Sequence, residues 1–305
     1  MILAIDIGGT AVKMGLSDRE GIIYARHEAS VCFDQYQTPI LDTVLKEAEA
    51  FLQREGAAIE AIGVSATGQV DDAAGVVIGT NGKIPHYEGS RIKDACEGKF
   101  SVPTFVLNDA NAAALGECFI GRGRGYDHVL MITLGTGVGG GIVLNGRLFG
   151  GARGIAGEMG HFTLYQDGNP CACGKKGCFE NYAATTALVR LAMDATGEKE
   201  LNGRIIFERA HNGDTVMLRV LDQWISDIAG GVTGLVHIFN PQMVLIGGGV
   251  SSQEELLMRP LRQRIKEGVM PRFSECLQVE CATLGNDAGM IGAVKFCLDQ
   301  MEGIV

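Results

Sequence analysis

The chain has 305 residues, and 26 Lys and Arg against 36 Asp and Glu give it a formal net charge of −10. This length holds one large domain or two ordinary ones, and 46% hydrophobic with 20% charged residues are typical of a globular protein. An acidic chain without a basic run is a poor candidate for binding nucleic acid or an anionic membrane.

The first half of the chain predicts an alternation of strands and helices. Its N-terminus has no leader-like segment and begins directly with a strand at 2–7, followed by strands at 12–16 and 21–28. An amphipathic helix follows at 38–55 and a buried strand at 61–64. After a loop-rich stretch at 75–90, a strand at 104–107 runs into an Ala-rich helix.

The second half predicts the same opening. Strands at 128–134 and 139–144 lead into a third at 146–149, and helices follow at 180–196, 203–212 and 214–238. A strand at 243–246 and a last helix at 287–301 complete the chain. The uncharged run 129–146 is rich in glycine and favours strand, turn and strand over a membrane-spanning helix.

This weak internal repeat predicts two α/β lobes, with ligands bound beyond the carboxyl ends of the strands. We expect a smaller lobe of residues 1–113 plus 288–305, and a larger lobe of 114–287.

Glycine-rich turns follow three of the predicted strands. The first is Asp6-Ile7-Gly8-Gly9-Thr10, with Lys13 close behind. Its backbone N–H groups could hold a phosphate and Asp6 could hold Mg²⁺ through water, although Gly-Gly is also common in ordinary hairpins.

The second turn, Gly135 to Gly141, matches the dinucleotide pattern G-x-G-x-x-G, but a strand rather than a helix follows it. The third is Gly247-Gly248-Gly249. The chain lacks the P-loop pattern G-x-x-x-x-G-K-[ST]. Together the three turns favour a nucleotide cleft more than any one of them does.

Asn108 and Asp109 lie between a predicted strand and a helix. Both residue types favour helix capping, and a carboxylate there could also act as the base in phosphoryl transfer. The two roles are compatible, because Asn111 could provide the cap.

One His and three Cys lie within eighteen residues: His161, Cys171, Cys173 and Cys178. In a chain without a secretory signal, clustered cysteines favour a metal site over disulfides. The four ligands suit a closed, structural zinc site. Glu158 and Glu180 flank this cluster, and each alone could be a solvated surface charge.

The chain resembles the ROK family of sugar kinases and repressors over nearly its whole length. The resemblance is carried by the first glycine turn with Lys13, Asn108 to Ala113, Leu134 to Gly141, Gly157 to His161, and Cys171 to Glu180. It implies the two-lobed actin/hexokinase/Hsp70-like ATPase fold with ribonuclease H-like repeats and a structural zinc loop. It also implies a cytoplasmic enzyme that transfers the γ-phosphoryl group of ATP to a hexose, usually at the 6-OH.

The resemblance assigns roles residue by residue. Asp109 would be the catalytic base, and sugar hydroxyls would meet Gly68, Asn108, Glu158, His161 and Glu180, with backbone near 81–84. Zn²⁺ would bind His161, Cys171, Cys173 and Cys178. Thr10 and Thr136 would lie near the phosphates of ATP, and Gly248 and Gly249 near its adenosine. With the glycine turns described above, the expected site of ATP and Mg²⁺ also includes Asp6, Gly8, Gly9, Lys13, Gly135 and Gly137. A homodimer through the larger lobe is expected, with no nucleic-acid or membrane partner.

Two stretches depart from the family's glucokinases. Ala66-Thr67-Gly68-Gln69 replaces a Pro-Gly turn, and the loop 83–89 lacks their usual Trp. Both resemble the N-acetylmannosamine kinase and β-glucoside kinase branches, so the hexose could be glucose, N-acetylmannosamine or a relative, with β-glucosides as an alternative. A sugar-sensing regulator without kinase activity is a distant alternative, because the family's repressors carry a winged-helix module ahead of a turn that here begins at the sixth residue.

Overall fold

The computed structural model describes residues 1–80 and 84–303. Its first sheet has the order β3-β2-β1-β4-β7, with bounds β1 Ile2–Ile7, β2 Ala11–Ser17, β3 Ile23–Ser30, β4 Ala61–Ala66 and β7 Thr104–Asn108. A small hairpin joins β5 (Gln69–Asp71) to β6 (Val76–Gly79). Strand β1 is antiparallel to β2 and parallel to β4, which is parallel to β7.

Alternate side chains of β1 pack in two different hydrophobic clusters. Leu3, Ile5 and Ile7 pack with α1 (Ile40–Glu55) and α2 (Ile92–Phe100). Ile2 and Ala4 pack with α10 (Ala288–Met301). Successive strand residues point to opposite faces, so this alternation buries β1 on both sides. It fixes the carboxyl end of β1, where the first glycine turn begins.

The second sheet repeats the strand order of the first, as β10-β9-β8-β11-β12. Its bounds are β8 Val129–Leu134, β9 Val138–Leu144, β10 Arg147–Leu148, β11 Met243–Gly247 and β12 Gln278–Cys281. The internal repeat predicted from the strand–turn–strand openings is therefore confirmed.

The remaining helices are α3 Asp109–Phe119, α4 Glu180–Ala183, α5 Thr185–Thr196, α6 Gly203–His211, α7 Thr215–Phe239, α8 Arg259–Gly268 and α9 Pro271–Ser274. A π-helical segment, Glu254–Met258, precedes α8. Helix α7 buries many apolar side chains, including Trp224, whose indole N–H donates to the carbonyls of Ala183 and Ala184.

Several element predictions were wrong or incomplete. The loop-rich stretch 75–90 contains β6, and the helix predicted at 180–196 is divided at Ala184, whose backbone is extended with ψ 156°. Hydrophobic periodicity does not predict α2, α8 or β12, which the structure contains. Helix α8 has a proline at its start, a position that an α-helix tolerates because the missing N–H has no intrahelical partner.

The chain divides into two compact units. Unit 1 comprises Met1–Gly125, Gly141–Gly157 and Leu284–Val305, and unit 2 comprises Tyr126–Gly140 and Glu158–Thr283. The lobe boundaries expected from the sequence stay a prediction. Among the described residues, no helix has the length and apolar character needed to cross a membrane.

Candidate active site

Asp109 lies where β7 ends and α3 begins in unit 1. Its Oδ1 accepts hydrogen bonds from the Asn108 Nδ2 at 3.0 Å and from the Ala110 N–H at 2.8 Å. Asn108 Nδ2 also donates to the Gly68 carbonyl at 2.8 Å, which places Gly68 beside this pair. The carboxylate is therefore held in one orientation by the strand end and the helix start.

The pKa of Asp109 is raised to about 6. Burial is the largest cause, and the negative charge of Asp6 adds to it. Hydrogen bonds from the Ala110 N–H and from the side chains of Thr67 and Asn108 oppose this rise. A carboxylate with this pKa is ionised at neutral pH and is still basic enough to accept a proton from a reacting hydroxyl.

The cap of α3 is Asn108, one of the capping candidates named from the sequence. Asn108 Oδ1, not Asn111, accepts from the N–H groups of Ala110 and Asn111 at 2.9 and 3.2 Å. Asn111 is buried, and its Oδ1 has no hydrogen-bond partner among the described residues. Because Asn108 performs the capping, the side chain of Asp109 is available for another role.

The first glycine turn follows β1 in the same unit. The Gly8 N–H donates to the Ala11 carbonyl at 2.9 Å, and the Tyr36 hydroxyl donates to the Gly9 carbonyl at 2.7 Å. Asp6 accepts from Ser65 Oγ at 2.6 Å and is paired in register with Lys13 on β2. Burial raises the pKa of Asp6 despite the opposing effects of Ser65 and Lys13.

The predicted metal ligands converge in unit 2. The ligand atoms of His161, Cys171, Cys173 and Cys178 all lie within 4.8 Å of one another. Cys171 Sγ is 3.7 Å from His161 Nδ1, and Cys173 Sγ is 3.5 Å from Cys178 Sγ. Tetrahedral zinc with bonds of about 2.3 Å would separate two sulfurs by about 3.8 Å, so the donor set fits zinc.

The orientation of His161 adds a detail that the sequence does not contain. Its Nδ1 faces the sulfurs, so Nε2 is the nitrogen that remains for a second contact. Glu158 Oε2 lies 4.0 Å from Nε2, which is too far for a hydrogen bond between them. Both groups could therefore engage a ligand.

Glu180 lies beside this histidine turn. A Cβ placed on Gly160 would be 2.4 Å from the Val138 carbonyl oxygen and 3.4 Å from Glu180 Cβ. Only glycine allows such an approach, which brings the segment of Glu158 and His161 against the start of α4. Glu180 Oε2 accepts from the Val138 N–H at 3.0 Å.

The second and third glycine turns pack on each other in unit 2. Gly248 has φ +95°, and a Cβ there would lie 2.2 Å from the Leu134 carbonyl oxygen, immediately before Gly135. The Thr186 hydroxyl donates to the Thr136 carbonyl at 2.9 Å. These contacts hold Gly135, Thr136, Gly137, Gly248 and Gly249 in one part of the unit.

A cavity of about 1150 Å³ in unit 2 is lined by residues of both turns, among them Thr136 and Gly249. It is also lined by one face of α6, with Phe207 and Glu208. The sequence predicted α6 but gave its side chains no ligand role.

Comparison with known proteins now identifies the chain. The family model described as "ROK family" matches residues 2–300. The chain is 32% identical to the glucokinase of Thermotoga maritima, covering 99% of this chain and 98% of that one. It is 32% identical to the β-glucoside kinase of Listeria innocua, covering 98% of both. The chain is also similar in structure to a ROK family glucokinase from Streptomyces griseus, crystallised in complex with glucose and AMPPNP. The TM-score is 0.81 and the identity 34%, and the match covers 98% of this chain and 99% of that one.

The chain belongs to the ROK family. The actin/hexokinase-like ATPase fold expected from the resemblance is confirmed as well. In this ROK protein, unit 1 contains Gly68, Asn108, Asp109 and the first glycine turn, and unit 2 contains Glu158, His161, Glu180, the cysteines and the other two turns. The backbone expected near the sugar at 81–84 falls outside the described residues at 81–83, as does Lys83 of the loop 83–89.

Proposed function

We propose that the chain is an ATP-dependent sugar kinase that transfers the γ-phosphoryl group to the 6-OH of a hexose. The observation that carries the proposal is Asp109, a hydrogen-bonded carboxylate with a pKa raised to about 6 in a chain that matches ROK kinases end to end. Phosphoryl transfer depends mainly on positioning and on neutralising charge, with one carboxylate at the nucleophile.

In this mechanism Asp109 accepts the proton of the attacking hydroxyl. The side-chain Nδ2 of Asn108 orients Asp109 by donating to its Oδ1. A sugar hydroxyl that met Asn108 would replace the hydrogen bond that Nδ2 now makes to the Gly68 carbonyl. Glu158, Glu180 and His161 Nε2 hydrogen-bond the remaining hydroxyls. Paired carboxylate acceptors suit vicinal hydroxyls, because an ionised carboxylate accepts two or more hydrogen bonds.

The phosphates of ATP would lie against the turns that contain Gly8, Gly9, Gly135 and Gly137, with Thr10, Thr136 and Lys13 as side-chain donors. The N–H groups of Gly8 and Gly135 already donate to the Ala11 and Gly137 carbonyls and shape the two turns. Gly248 and Gly249 would border the adenosine, because they line or adjoin the cavity of unit 2. Asp6 would hold Mg²⁺ through water, and the ion supplies charge neutralisation on the phosphates. Zinc on His161 and the three cysteines would be structural, since four protein ligands leave no open position.

A coupled assay for ADP over a sugar panel tests the proposal. The panel contains glucose, N-acetylmannosamine, N-acetylglucosamine, other hexoses and methyl β-glucoside. We expect sugar-dependent ADP release, a 6-phosphate product by NMR and no reaction of the matching 6-deoxy sugar. ADP release with the 6-deoxy sugar would refute the 6-OH assignment. Sugar binding without ADP release on any member would indicate a sugar sensor instead.

β-Glucoside kinase is the second candidate, favoured by the similarity to the Listeria innocua enzyme and by the stretch Ala66 to Gln69. The panel decides between them, because a β-glucoside kinase prefers methyl β-glucoside to glucose. We further propose a cytoplasmic homodimer that binds neither nucleic acid nor membrane. Light scattering would refute the dimer by giving the mass of one chain.

A further inference from the structure

Asp227 is a buried carboxylate in the middle of α7, only 5% exposed. Its Oδ1 accepts from the Tyr165 hydroxyl at 2.7 Å and from Gln223 Nε2 at 3.1 Å. Neither partner carries a positive charge. Burying a carboxylate is unfavourable unless hydrogen bonds compensate for the lost water, so this arrangement needs Tyr165 in place.

Tyr165 belongs to the segment 161–178 that we call the metal loop. Backbone hydrogen bonds run from the N–H groups of Leu164 and Tyr165 to the Gly177 carbonyl, at 2.8 and 3.2 Å. Gly177 has φ +74°, and a Cβ there would lie 1.7 Å from the Tyr165 carbonyl oxygen. Tyr165 therefore lies where the first arm of the metal loop, residues 162–170, contacts the second arm, residues 171–178.

The ring of Tyr165 also contacts the short helix that carries Glu180. It packs edge-to-face on Tyr182 of α4, with ring centroids 4.7 Å apart. The Tyr182 hydroxyl accepts from the Asn169 N–H at 2.7 Å, which attaches α4 to the metal loop a second time. A change in the position of Tyr165 would thus be transmitted to both arms of the metal loop and to α4.

We propose that the hydrogen bond from Tyr165 to Asp227 is a positioning contact that aligns the metal loop and α4 for sugar binding, separately from the metal ligands. The proposal rests on the function proposed above, in which His161 and Glu180 contact the sugar. Tyr165 and Asp227 are positioning residues, because they act through the metal loop and α4 and do not themselves touch the sugar.

The positions of the candidate metal ligands leave the arm 162–170 of the metal loop without a ligand of its own. The candidate metal ligands are His161 at one end of the metal loop and Cys171, Cys173 and Cys178 at the other. A bound metal therefore restrains that arm only through the residues beside it. The hydrogen bond to Asp227 on α7 restrains it at Tyr165. The backbone hydrogen bonds to Gly177 and the bond from Asn169 to Tyr182 hold this arm within the metal loop and against α4, and the bond to Asp227 adds an attachment to α7.

Tyr165→Phe tests the proposal, because it removes the hydroxyl and keeps the ring on Tyr182. With glucose, or the best hexose of the panel, we expect the sugar KM to rise about tenfold, as for other residues that orient ligands indirectly. We expect kcat and the KM for ATP to stay within about twofold, because the change does not touch the transferred group. Metal content should equal that of the parent.

Tyr24→Phe is the matched control. The Tyr24 hydroxyl donates to Asp18 Oδ2 at the same 2.7 Å, but on the exposed part of unit 1. It should leave the sugar KM unchanged. Asp227→Asn retains an oxygen acceptor for Tyr165 and should be milder than Asp227→Ala.

Two outcomes would overturn the proposal. One is a parental sugar KM in Tyr165→Phe. The other is a loss of metal, or a parallel change in kcat, ATP KM and melting temperature, which would make the contact a general stabiliser. If the parent chain itself phosphorylates no sugar, the proposed function fails. Sugar affinity measured by calorimetry on the same variants then still decides whether Tyr165 positions the binding residues.

Discussion

Asp109 stands at the junction of a strand and an eleven-residue helix, whereas the residues from Glu158 to Glu180 contain one short 3₁₀ turn and two isolated β-bridges before α4 begins. The first region takes its geometry from regular backbone and from capping by Asn108. The second has little regular hydrogen bonding, and its shape depends on side-chain ligands, close glycine contacts and the contact to α7.

The difference between these two regions corresponds to two requirements of a sugar kinase: a base for the attacking hydroxyl, and hydrogen-bond partners for the other hydroxyls. A catalytic base needs a fixed position and a raised pKa. For Asp109, the end of a packed strand fixes the position and burial raises the pKa. In the proposed function, sugar hydroxyls point in several directions, so their partners would come from a loop that can present Glu158, His161 and Glu180 together. We expect changes in the first region to affect mainly the chemical step, and changes in the second to affect mainly sugar affinity.

The largest expected effect is that of Asp109→Asn, which should reduce kcat by about 10³-fold. It should also raise the stability of the protein. The folded-state pKa lies above the ordinary value of 3.8, so the ionised form is unfavourable in the folded protein at neutral pH. The shift spans about two pKa units, so removing the charge should add up to about 3 kcal/mol to the free energy of unfolding. Kinetics and thermal melts measure the two effects.

Asp72→Asn is the control for this prediction. Burial also raises the pKa of Asp72, a carboxylate of unit 1 that lies beside Gly154. We expect stability to rise without loss of kcat. If Asp109→Asn kept parental kcat, the base assignment would be wrong. If it lost stability, the cost assigned to burying the Asp109 charge would be wrong.

Removing a metal ligand should have the next largest effect. We expect Cys178→Ala to release zinc and raise the sugar KM by about 10- to 100-fold, because the partners of the hydroxyls lose their alignment. Metal analysis and calorimetry with glucose measure the result. Cys276→Ser, at an exposed cysteine outside the cluster, should retain the parental metal content and KM. A zinc-free Cys178→Ala protein with parental sugar affinity would refute the structural role.

The sequence predicted the first region well and the second only in part. Strand ends followed by Gly, Asn or Asp are local patterns, so β1, β7 and the start of α3 were found within one or two residues. The cluster of His161 and three cysteines was predicted from its spacing, and its side chains do converge. Other features were not predicted. Glu180 contacts the second turn, and Tyr165 contacts Asp227, across at least 42 positions of the sequence. The position of α6 at the cavity depends on loop geometry. No periodicity encodes such contacts.

Gly137→Ala tests one of these long-range contacts. A Cβ at Gly137 would lie 2.3 Å from Glu180 Oε2, the end of a flexible side chain that can move away. We therefore expect little change in melting temperature but a sugar KM raised by about tenfold, since an orienting contact is lost. At Gly135 the nearest atom would be 3.9 Å away, so Gly135→Ala is the matched control in the same turn. Equal effects of the two variants on sugar KM would show that Glu180 is not the cause.

The pH dependence should report Asp109 directly. The base acts when deprotonated, so kcat/KM for the sugar should be constant above the pKa and fall below it. With a pKa of about 6, we expect half of the maximal kcat/KM at pH 6 and a tenfold loss per further pH unit. A profile that stayed flat down to pH 4.5 would contradict the raised pKa.

The smallest effect should come from Tyr87→Phe in unit 1. Tyr87 is 1% exposed, and its hydroxyl has no hydrogen-bond partner among the described residues. Removing an unpaired buried hydroxyl should leave stability unchanged or raise it slightly, because no hydrogen bond is lost and the ring still packs. Tyr36→Phe is the contrasting variant, since the Tyr36 hydroxyl donates to the Gly9 carbonyl and its loss should cost about 1 kcal/mol. Urea unfolding of both variants measures the difference.

A destabilised Tyr87→Phe would mean that a water or another group satisfies this hydroxyl. Burial raises the pKa of Tyr87, and the charges of Asp109 and Asp6 add to that rise, so the hydroxyl lies in the surroundings of the base. The base would then depend on a buried polar network as well as on strand and helix, and the contrast with the metal loop would be narrower.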